Sequence, residues 1–388
     1  MNFMNNHQSK VLITGGAGFI GQRLARRLLK TGHQVCILDN FSPQIHSVDH
    51  LDADLADAVE LIKADVRDKD LLRSALEDVT SVVHLAAETG TGQSMYEIDR
   101  YFSVNVQGTA GLLDLLQNDE SGKQVKSLIV ASSRAVYGEG AYQCDADGIV
   151  FPEQRKYDQM SQGHFELTCP KCQGALKIIA TPEEAPFHPM SFYGLTKQVQ
   201  EQAVLLYGHT HHINTFALRY QNVYGPGQSL KNPYTGILAV FSNLARQNQG
   251  IEIYEDGDES RDFIYIDDVV EATAKCVEFS GKYIGALNIG SGKPTTVMNV
   301  AESVKAYFKS DSSILVTGAF RVGDIRHNIA NIDLAAQVLQ FSPQVSFEEG
   351  LKNFLDWASG QPAEDKFAYL KSVNELASKG LMGKASSS

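Results

Sequence analysis

With 388 residues, 43% of them hydrophobic and 21% charged, the chain has the balance of a globular enzyme long enough for two lobes. A net charge of −12 speaks against nucleic acid as the main partner, because a phosphate backbone demands basic surface. The apolar runs, such as Val82 to Ala87, are too short for a bilayer, Met1 to Lys10 lacks the apolar stretch of a secretory signal, and an odd five cysteines make no disulfide scaffold; a cytoplasmic, membrane-free protein is expected.

Through residue 138 the sequence alternates short apolar runs with helical patterns, as βαβ units do. Lys10 to Thr14 reads as a buried strand and Gln22 to Lys30 as the following helix. Gln34 to Leu38, Glu60 to Ala64, Ser81 to Leu85 and Ser127 to Ala131 read as further strands of a parallel sheet covered on both faces. Residues 139–188 lose this patterning, hold three of the five cysteines and read as an insertion. Helical patterning resumes near Tyr193, and Ile213 to Leu218 returns to the sheet. The division expected is an α/β Rossmann-type domain from 1–138 and 189–222, with 264–290 returning to it. A smaller mixed substrate lobe takes 223–263 and 291–360, and 361–388 forms a C-terminal helix and frayed tail.

The strongest local signal is Thr14-Gly15-Gly16-Ala17-Gly18-Phe19-Ile20-Gly21, between the first strand and the first helix. Glycines there permit a tight turn, close approach to a pyrophosphate and close helix packing, and the helix N-terminus offers amides to phosphate. Asp39 closes the second strand, where its carboxylate accepts bonds from an adenosine ribose and repels a 2′-phosphate, so NAD is favoured over NADP. Asp65-Val66 follows the third strand and is expected beside the adenine; the structural alternative makes Asp65 a helix cap.

Tyr193-Gly194-Leu195-Thr196-Lys197 sets a phenol and an ammonium four residues apart on one helix face. A nearby cation lowers the phenol pKa from about 10 and suits it to acid/base work. Ser133 lies just past its strand, where α/β sheets place ligands, and its hydroxyl can hold a substrate oxygen.

These segments occur with His84-Leu85-Ala86-Ala87, Asn105-x-x-Gly108-Thr109, Ser132 to Gly138, Arg219 to Gly227, Arg261-Asp262-Phe263 and Arg321 to Arg326. The ordered set, spanning about residues 10 to 355, resembles the sugar-nucleotide epimerase/dehydratase family of extended short-chain dehydrogenases. The resemblance implies that Tyr193 is the catalytic base, that Lys197 binds the nicotinamide ribose and tunes Tyr193, and that Ser133 assists. It extends the cofactor set of Gly15, Gly18, Phe19, Ile20, Gly21, Asp39, Asp65 and Val66 to Asn40, Leu85, Ala86, Ala87, Asn105 and Tyr220. Asn105 would brace the active-site strand and helix, a role compatible with capping. Asn222 would meet the sugar or diphosphate, and Arg261 and Arg321 would clamp the diphosphate, although either arginine also suits a surface ion pair. The Thr89 to Ser94 loop, with Gln93, is expected along the sugar. Arg134, Gln228, Tyr234 and Asn328 complete the substrate set, and a homodimer through a four-helix contact is implied.

Relatives that dehydrate the hexose carry Asp-Glu where this chain has Arg134 and Ala135, so elimination of water is disfavoured. The decarboxylases' Glu and the Cys/His pair of the epimerase-reductases are also missing beside Ser133. What remains is Ser133, Tyr193 and Lys197, sufficient for reversible oxidation of one hydroxyl: 4-epimerisation with tightly bound NAD. The Glu88 to Ile98 and Gly227 to Gly236 segments resemble a subgroup acting on dTDP-L-rhamnose, with UDP-glucose and UDP-N-acetylglucosamine nearly as close. Asn328 falls where related enzymes control room for an N-acetyl group. A 4-keto-sugar reductase would use the same residues and consume free cofactor; a non-enzymatic dinucleotide sensor would be expected to lack them.

In the insertion, Cys169-Pro-Lys-Cys172 has the form of a zinc knuckle, with Cys144 twenty-five residues earlier. Zn²⁺ held by Cys144, Cys169, Cys172 and either Asp147 or His164 is expected; the alternative is free thiols on a surface insertion. Cys36 and Cys276 read as core residues, and His209, His211 and His212 as a solvated loop before a strand.

Overall fold

Strands made of continuous apolar, largely β-branched residues need cover on both faces, and the fold supplies it around a single parallel sheet. The computed structural model describes residues 9–230, 236–362 and 367–386. Its sheet comprises β1 (Lys10–Thr14), β2 (Gln34–Asp39), β3 (Glu60–Lys63), β4 (Val79–His84), β5 (Ser127–Ser133), β6 (Asn214–Tyr220) and β7 (Ile284–Ile289), in the order β7-β6-β5-β4-β1-β2-β3. Every neighbouring pair is parallel. Alternate side chains feed two apolar layers: Val11, Ile13, Ile37, Val83 and Ile129 face one, and Leu12, Cys36, Leu38, Val82 and Leu128 the other. Cys36 and Cys276 are buried core residues.

Two boundaries differ from the sequence reading and matter for the site. β5 runs on to Ser133, which pairs with Tyr220, so Ser133 ends the strand rather than following it. The first helix starts at Phe19 rather than Gln22, which places Phe19, Ile20 and Gly21 in its first turn.

Beyond β6, strands Asn222–Tyr224, Ser260–Tyr265 and Pro294–Thr296 form a second, three-stranded sheet. Asp262, fully buried, accepts backbone N–H bonds from Ser291 (2.7 Å), Gly292 (3.0 Å) and Ala330 (3.2 Å) and so ties two loops to its strand. The insertion builds its own antiparallel sheet from Tyr142–Cys144, Gly148–Val150 and Leu176–Ile178. The C-terminus is not a frayed tail: after helix Phe367–Ser378, strand Met382–Lys384 pairs antiparallel with Ala319–Arg321. The three histidines near 210 do not form a loop either. His209 and His211 lie in the last turn of helix Phe192–His211, and His212 caps it in the left-handed region at φ 56°.

That helix is fastened to the sheet by a buried ion pair. Arg219 on β6 meets the Glu201 carboxylate at 2.5 Å, and Ser132 on β5 donates to the same carboxylate at 2.5 Å. Replacing Glu201 with Gln leaves the Arg219 charge buried without its counterion, so the E201Q variant is expected to lose about 3–5 kcal/mol of stability in urea unfolding; an unchanged midpoint would show that the pair is not a structural fastening.

Candidate functional site

The sheet order reverses between β1 and β4, and a cleft of about 1330 Å³ opens there, at the carboxyl ends of the strands. One small ligand typically occupies roughly 300–1,000 Å³, so this cleft has room for a dinucleotide and a second molecule. The glycine loop forms one end. Gly15 turns the chain at φ 69°, and a Cβ there would lie 2.7 Å from the Ala86 amide nitrogen. At Gly21 a Cβ would fall 2.5 Å from the Gly16 Cα, so this glycine sets how closely the helix approaches the loop. Gly18, the helix N-cap, brings no side chain to the first amides, which face the cleft with Phe19 and Ile20.

Asp39 accepts from the Ala17 N–H (3.0 Å) with one carboxylate oxygen and from the Phe41 N–H (2.8 Å) with the other. It therefore organises the glycine loop and also lines the cleft, where each oxygen keeps a second lone pair for a ribose hydroxyl. Asn40, Asp65, Val66, Leu85, Ala86, Ala87 and Tyr220 complete this wall. Asp65 does not cap the next helix; Asp68 does, accepting from the Asp70 and Leu71 amides. Asp65 instead holds Arg67, whose guanidinium draws its carboxyl down to about 2, and accepts from Asn40. The loop, its helix and Asp39 fit a dinucleotide, because a side chain at Gly15 would collide with backbone across the turn.

At the middle of the cleft Ser133 and Tyr193 share one wall, near enough for the Ser133 hydroxyl to act on the phenol. Burial raises the phenol above its ordinary value, while the Ser133 hydroxyl and the Arg134 charge pull it back. The ammonium of Lys197 lies 6.0 Å from the Tyr193 ring centre and donates to the Ala131 carbonyl at 2.9 Å. Burial pushes it down to about 7.

Asn105 does not reach the cleft wall. It sits in a π-helical turn, Phe102–Gln107, of the kind that often marks functional sites. Its side chain accepts from the Glu88 N–H (2.7 Å) and donates to the Glu88 carbonyl (3.1 Å) and to Thr196 Oγ1 (3.0 Å). It thereby braces the Tyr193 helix against the loop after β4. Gln93 and Ser94 are likewise buried behind the wall, where Gln93 exchanges bonds with Gln44 and Ser94 donates to the Thr91 carbonyl. They shape the loop from within, and Thr89 to Gly92 present it to the cleft.

The far end carries charge of both signs, Arg134, Arg261 and Arg321 with Glu255, Glu259 and Asp324. Arg134, Arg261 and Arg321 converge on Asp324: burial alone would raise its carboxyl, but the three guanidiniums hold it below the usual range. Arg261 donates to Asp324 (3.0 Å) and to the carbonyls of Ser260, Ile325 and Arg326, so it shapes the wall as well as charging it. Arg321 lies 5.0 Å over the Tyr254 ring. Gln221, Asn222 and Gln228 line the same region, and the Gln221 amide and Asn222 Oδ1 are buried with no hydrogen-bond partner among the described residues. Asn328 is buried with its side-chain amide unpartnered and stands behind the wall rather than on it. Tyr234 lies outside the described residues. The sequence reading missed Gln221, Glu259 and Asp324, and also Ser372 and Leu376, which the C-terminal helix adds to the wall. The short apolar Leu381-Met382 after Gly380 was the available signal that this end folds back.

The sequence profile of the NAD dependent epimerase/dehydratase family matches residues 11–161 and 168–290. A dTDP-L-rhamnose 4-epimerase of Burkholderia thailandensis is 39% identical over 351 residues, covering 90% of this chain and 94% of the relative. The crystal structure of a UDP-glucose 4-epimerase with UDP-glucose from Thermotoga maritima superposes with a TM-score of 0.73 at 28% identity, over 90% of this chain and 98% of that one. A Thermus thermophilus UDP-glucose 4-epimerase in complex with NAD gives 0.69 at 26% identity, over 91% and 100%.

Replacing Tyr193 with Phe is expected to cut turnover by at least about 10²–10⁴-fold without reducing NAD content measured after denaturation. Replacing Arg134 with Met removes the cation that holds the phenol down, so the pH at which turnover reaches half its maximum should move upward; a profile that stays in place would deny Arg134 this role.

Proposed function

The chain belongs to the NAD dependent epimerase/dehydratase family, and we propose that it inverts C4 of a nucleotide-activated hexose, with dTDP-L-rhamnose as the preferred substrate. One observation carries the choice of reaction. The Ser133–Tyr193 pair opens onto the cleft beside Arg134 and Ala135, neither of which can serve as the second acid and base that eliminating water would require. The acid/base couple at this position supports oxidation and re-reduction of a single hydroxyl.

NAD, when bound, supplies the acceptor and donor of hydride. Gly15, Gly18 and the first turn of the helix would hold its diphosphate, Asp39 the adenosine ribose, and Val66 with Leu85 to Ala87 its flanks. Tyr193 takes the proton of the C4 hydroxyl, and Ser133, beside it on the wall, holds that oxygen in line. Tyr193 keeps the proton while the sugar is a 4-ketone and returns it once the opposite face is presented. Arg134 stabilises the phenolate and resists its reprotonation from solvent. The 4-keto sugar must turn over between the two half-reactions, so the site has to hold the nucleotide end firmly and the sugar loosely.

The arrangement of polar groups supports that division. We assign Arg321 and the Nε–H of Arg261 to the diphosphate, since the terminal N–H groups of Arg261 are already bound to Ser260, Asp324, Ile325 and Arg326. Gln221 and Asn222 offer unpartnered amide groups, which buried polar atoms rarely leave unused, to the sugar or its linkage. Asn328, behind the wall, limits room at the sugar without contacting it. The 39% relative favours dTDP-L-rhamnose, and UDP-glucose and UDP-N-acetylglucosamine are the alternatives. We also propose a homodimer through the Phe192–His211 helix, on which Leu206 is 68% exposed.

Proton NMR of the purified enzyme with no added cofactor, incubated separately with the three nucleotide sugars, is expected to show new anomeric signals of a C4 epimer from dTDP-L-rhamnose. The same signals from a UDP-sugar alone would reassign the substrate. No epimer from any of them, together with consumption of free NADH or NADPH in the presence of a 4-keto sugar nucleotide, would make the enzyme a reductase.

A further inference from the structure

The chemistry above makes no use of the cysteines in the insertion. Cys144 ends strand Tyr142–Cys144, and the turn Asp145–Asp147 leads into strand Gly148–Val150, with Gly148 at φ 74°. A second turn faces this hairpin. There the Gln173 N–H donates to the Cys169 carbonyl and the Cys169 N–H to the Gly174 carbonyl, both at 2.9 Å, with Gln173 left-handed at φ 63°. A bridge between Thr168 and Ala175 closes its base. The two turns bring Sγ of Cys144, Cys169 and Cys172 and a carboxylate oxygen of Asp147 within 4.8 Å of one another. His164, the other fourth ligand considered, is not among them.

The spacing fits a tetrahedron around one ion. Zinc binds thiolate at about 2.3 Å and carboxylate oxygen at about 2.0 Å, which sets S···S edges near 3.8 Å and S···O edges near 3.5 Å. Here Cys144 and Cys172 sulfurs are 3.5 Å apart, and the Asp147 oxygen is 3.6 Å from Cys144 Sγ and 3.1 Å from Cys169 Sγ. The cysteines are free thiols, not a disulfide. Apolar packing in this subunit is slight: apart from Cys144 and Cys169, its core is Tyr142, Val150, Leu167 and Leu176. Met160 and Phe165 pack on Phe320, and Phe151, Ala185 and Phe187 on Val136 and Tyr137, but the three-stranded sheet itself has little apolar packing, the setting in which small folds use a staple.

We propose that Cys144, Asp147, Cys169 and Cys172 bind one Zn²⁺ in a closed, structural site that anchors the insertion against the sugar end of the cleft. Four protein ligands leave no open position for a substrate, and three soft thiolates select zinc over magnesium or calcium. The anchor acts through two side chains held between the knuckle and the substrate lobe. Arg155 pairs with Glu255 (2.7 Å) and Glu139 (3.2 Å) and donates to the Asp324 carbonyl (3.1 Å). Glu166 receives Arg326 at 2.5 Å. Glu255 and Asp324 line the cleft, so the insertion positions the wall that carries Arg261 and Arg321 while leaving the dinucleotide end untouched.

Metal analysis of the full chain, purified without added metal, is expected to give about one zinc per chain. Exchange with Co²⁺ should then produce thiolate-to-metal charge-transfer and tetrahedral d–d bands. The exposed Cys172 provides the variant: Cys172→Ser should lose the zinc and raise KM for the nucleotide sugar roughly five- to tenfold, with kcat and NAD content little changed. Absence of zinc with three thiols reactive in the native chain, or a Cys144–Cys172 disulfide in a non-reducing peptide map, would overturn the site. Cobalt spectra on the unmodified chain decide the ligand set even where the variant fails to fold. Zinc lost with KM unchanged would overturn the anchoring role, and neither result bears on whether the sugar is epimerised.

Discussion

Glu201 lies inside the protein between two strands, its carboxylate shared by Arg219 of β6 and Ser132 of β5. The chemistry depends on the spacing this contact sets. Ser133 belongs to β5 and Tyr193 to the helix that carries Glu201, yet 60 positions and a whole subdomain separate them in sequence. Chain connectivity alone cannot hold two such groups side by side on one wall. A buried ion pair is an expensive tie, since both charges leave water, and what it provides is a unique register more than net stability. Asn105 supplies the second tie, from the opposite side, through Thr196 and the loop after β4. With both in place the phenol and the hydroxyl can only meet at the carboxyl end of β5.

Much of this was legible from residue order. The glycine turn, the apolar strands and the Tyr-x-x-x-Lys helix are local features, and local sequence sets local geometry. What escaped was set by tertiary packing. Lys197 keeps the place its spacing implies, 6.0 Å from the Tyr193 ring, while Arg134, adjacent to Ser133, brings a second cation to the phenol that no local motif signals. Gln93 and Ser94 read as contact residues because they stand in the loop after β4, whereas Asn105 braces the Tyr193 helix as its motif implied. Folding turns the polar atoms of all three inward, where each finds protein partners. The return of the last strand onto Ala319–Arg321 rests on three residues at the end of the chain, too few for any periodicity to register.

Charge organises the cleft along its length. The chain is strongly acidic overall, yet three guanidiniums gather around the Asp324 carboxylate at the sugar end, where Glu255 and Glu259 also line the wall, and they give that end the cationic donors a diphosphate needs. At the other end no side-chain charge is required, because a helix N-terminus and backbone amides serve the dinucleotide phosphates. The two anionic ligands are thus received by different means, and the Ser133–Tyr193 couple lies between them. Such a division allows tight retention of one ligand and exchange of the other, as a catalyst that regenerates its cofactor every cycle needs.

The central claim is that one hydride leaves C4 and returns to it within a closed site. It is tested most directly with dTDP-L-rhamnose carrying deuterium at C4, followed by mass spectrometry and NMR of product and solvent in the presence of excess free NAD. The label should remain at C4 in both epimers, with none in water and none in the free NAD. Deuterium washed into solvent would mean that C4 loses a proton rather than a hydride, and deuterium in the free NAD would mean that the cofactor is exchanged; either result would contradict the mechanism.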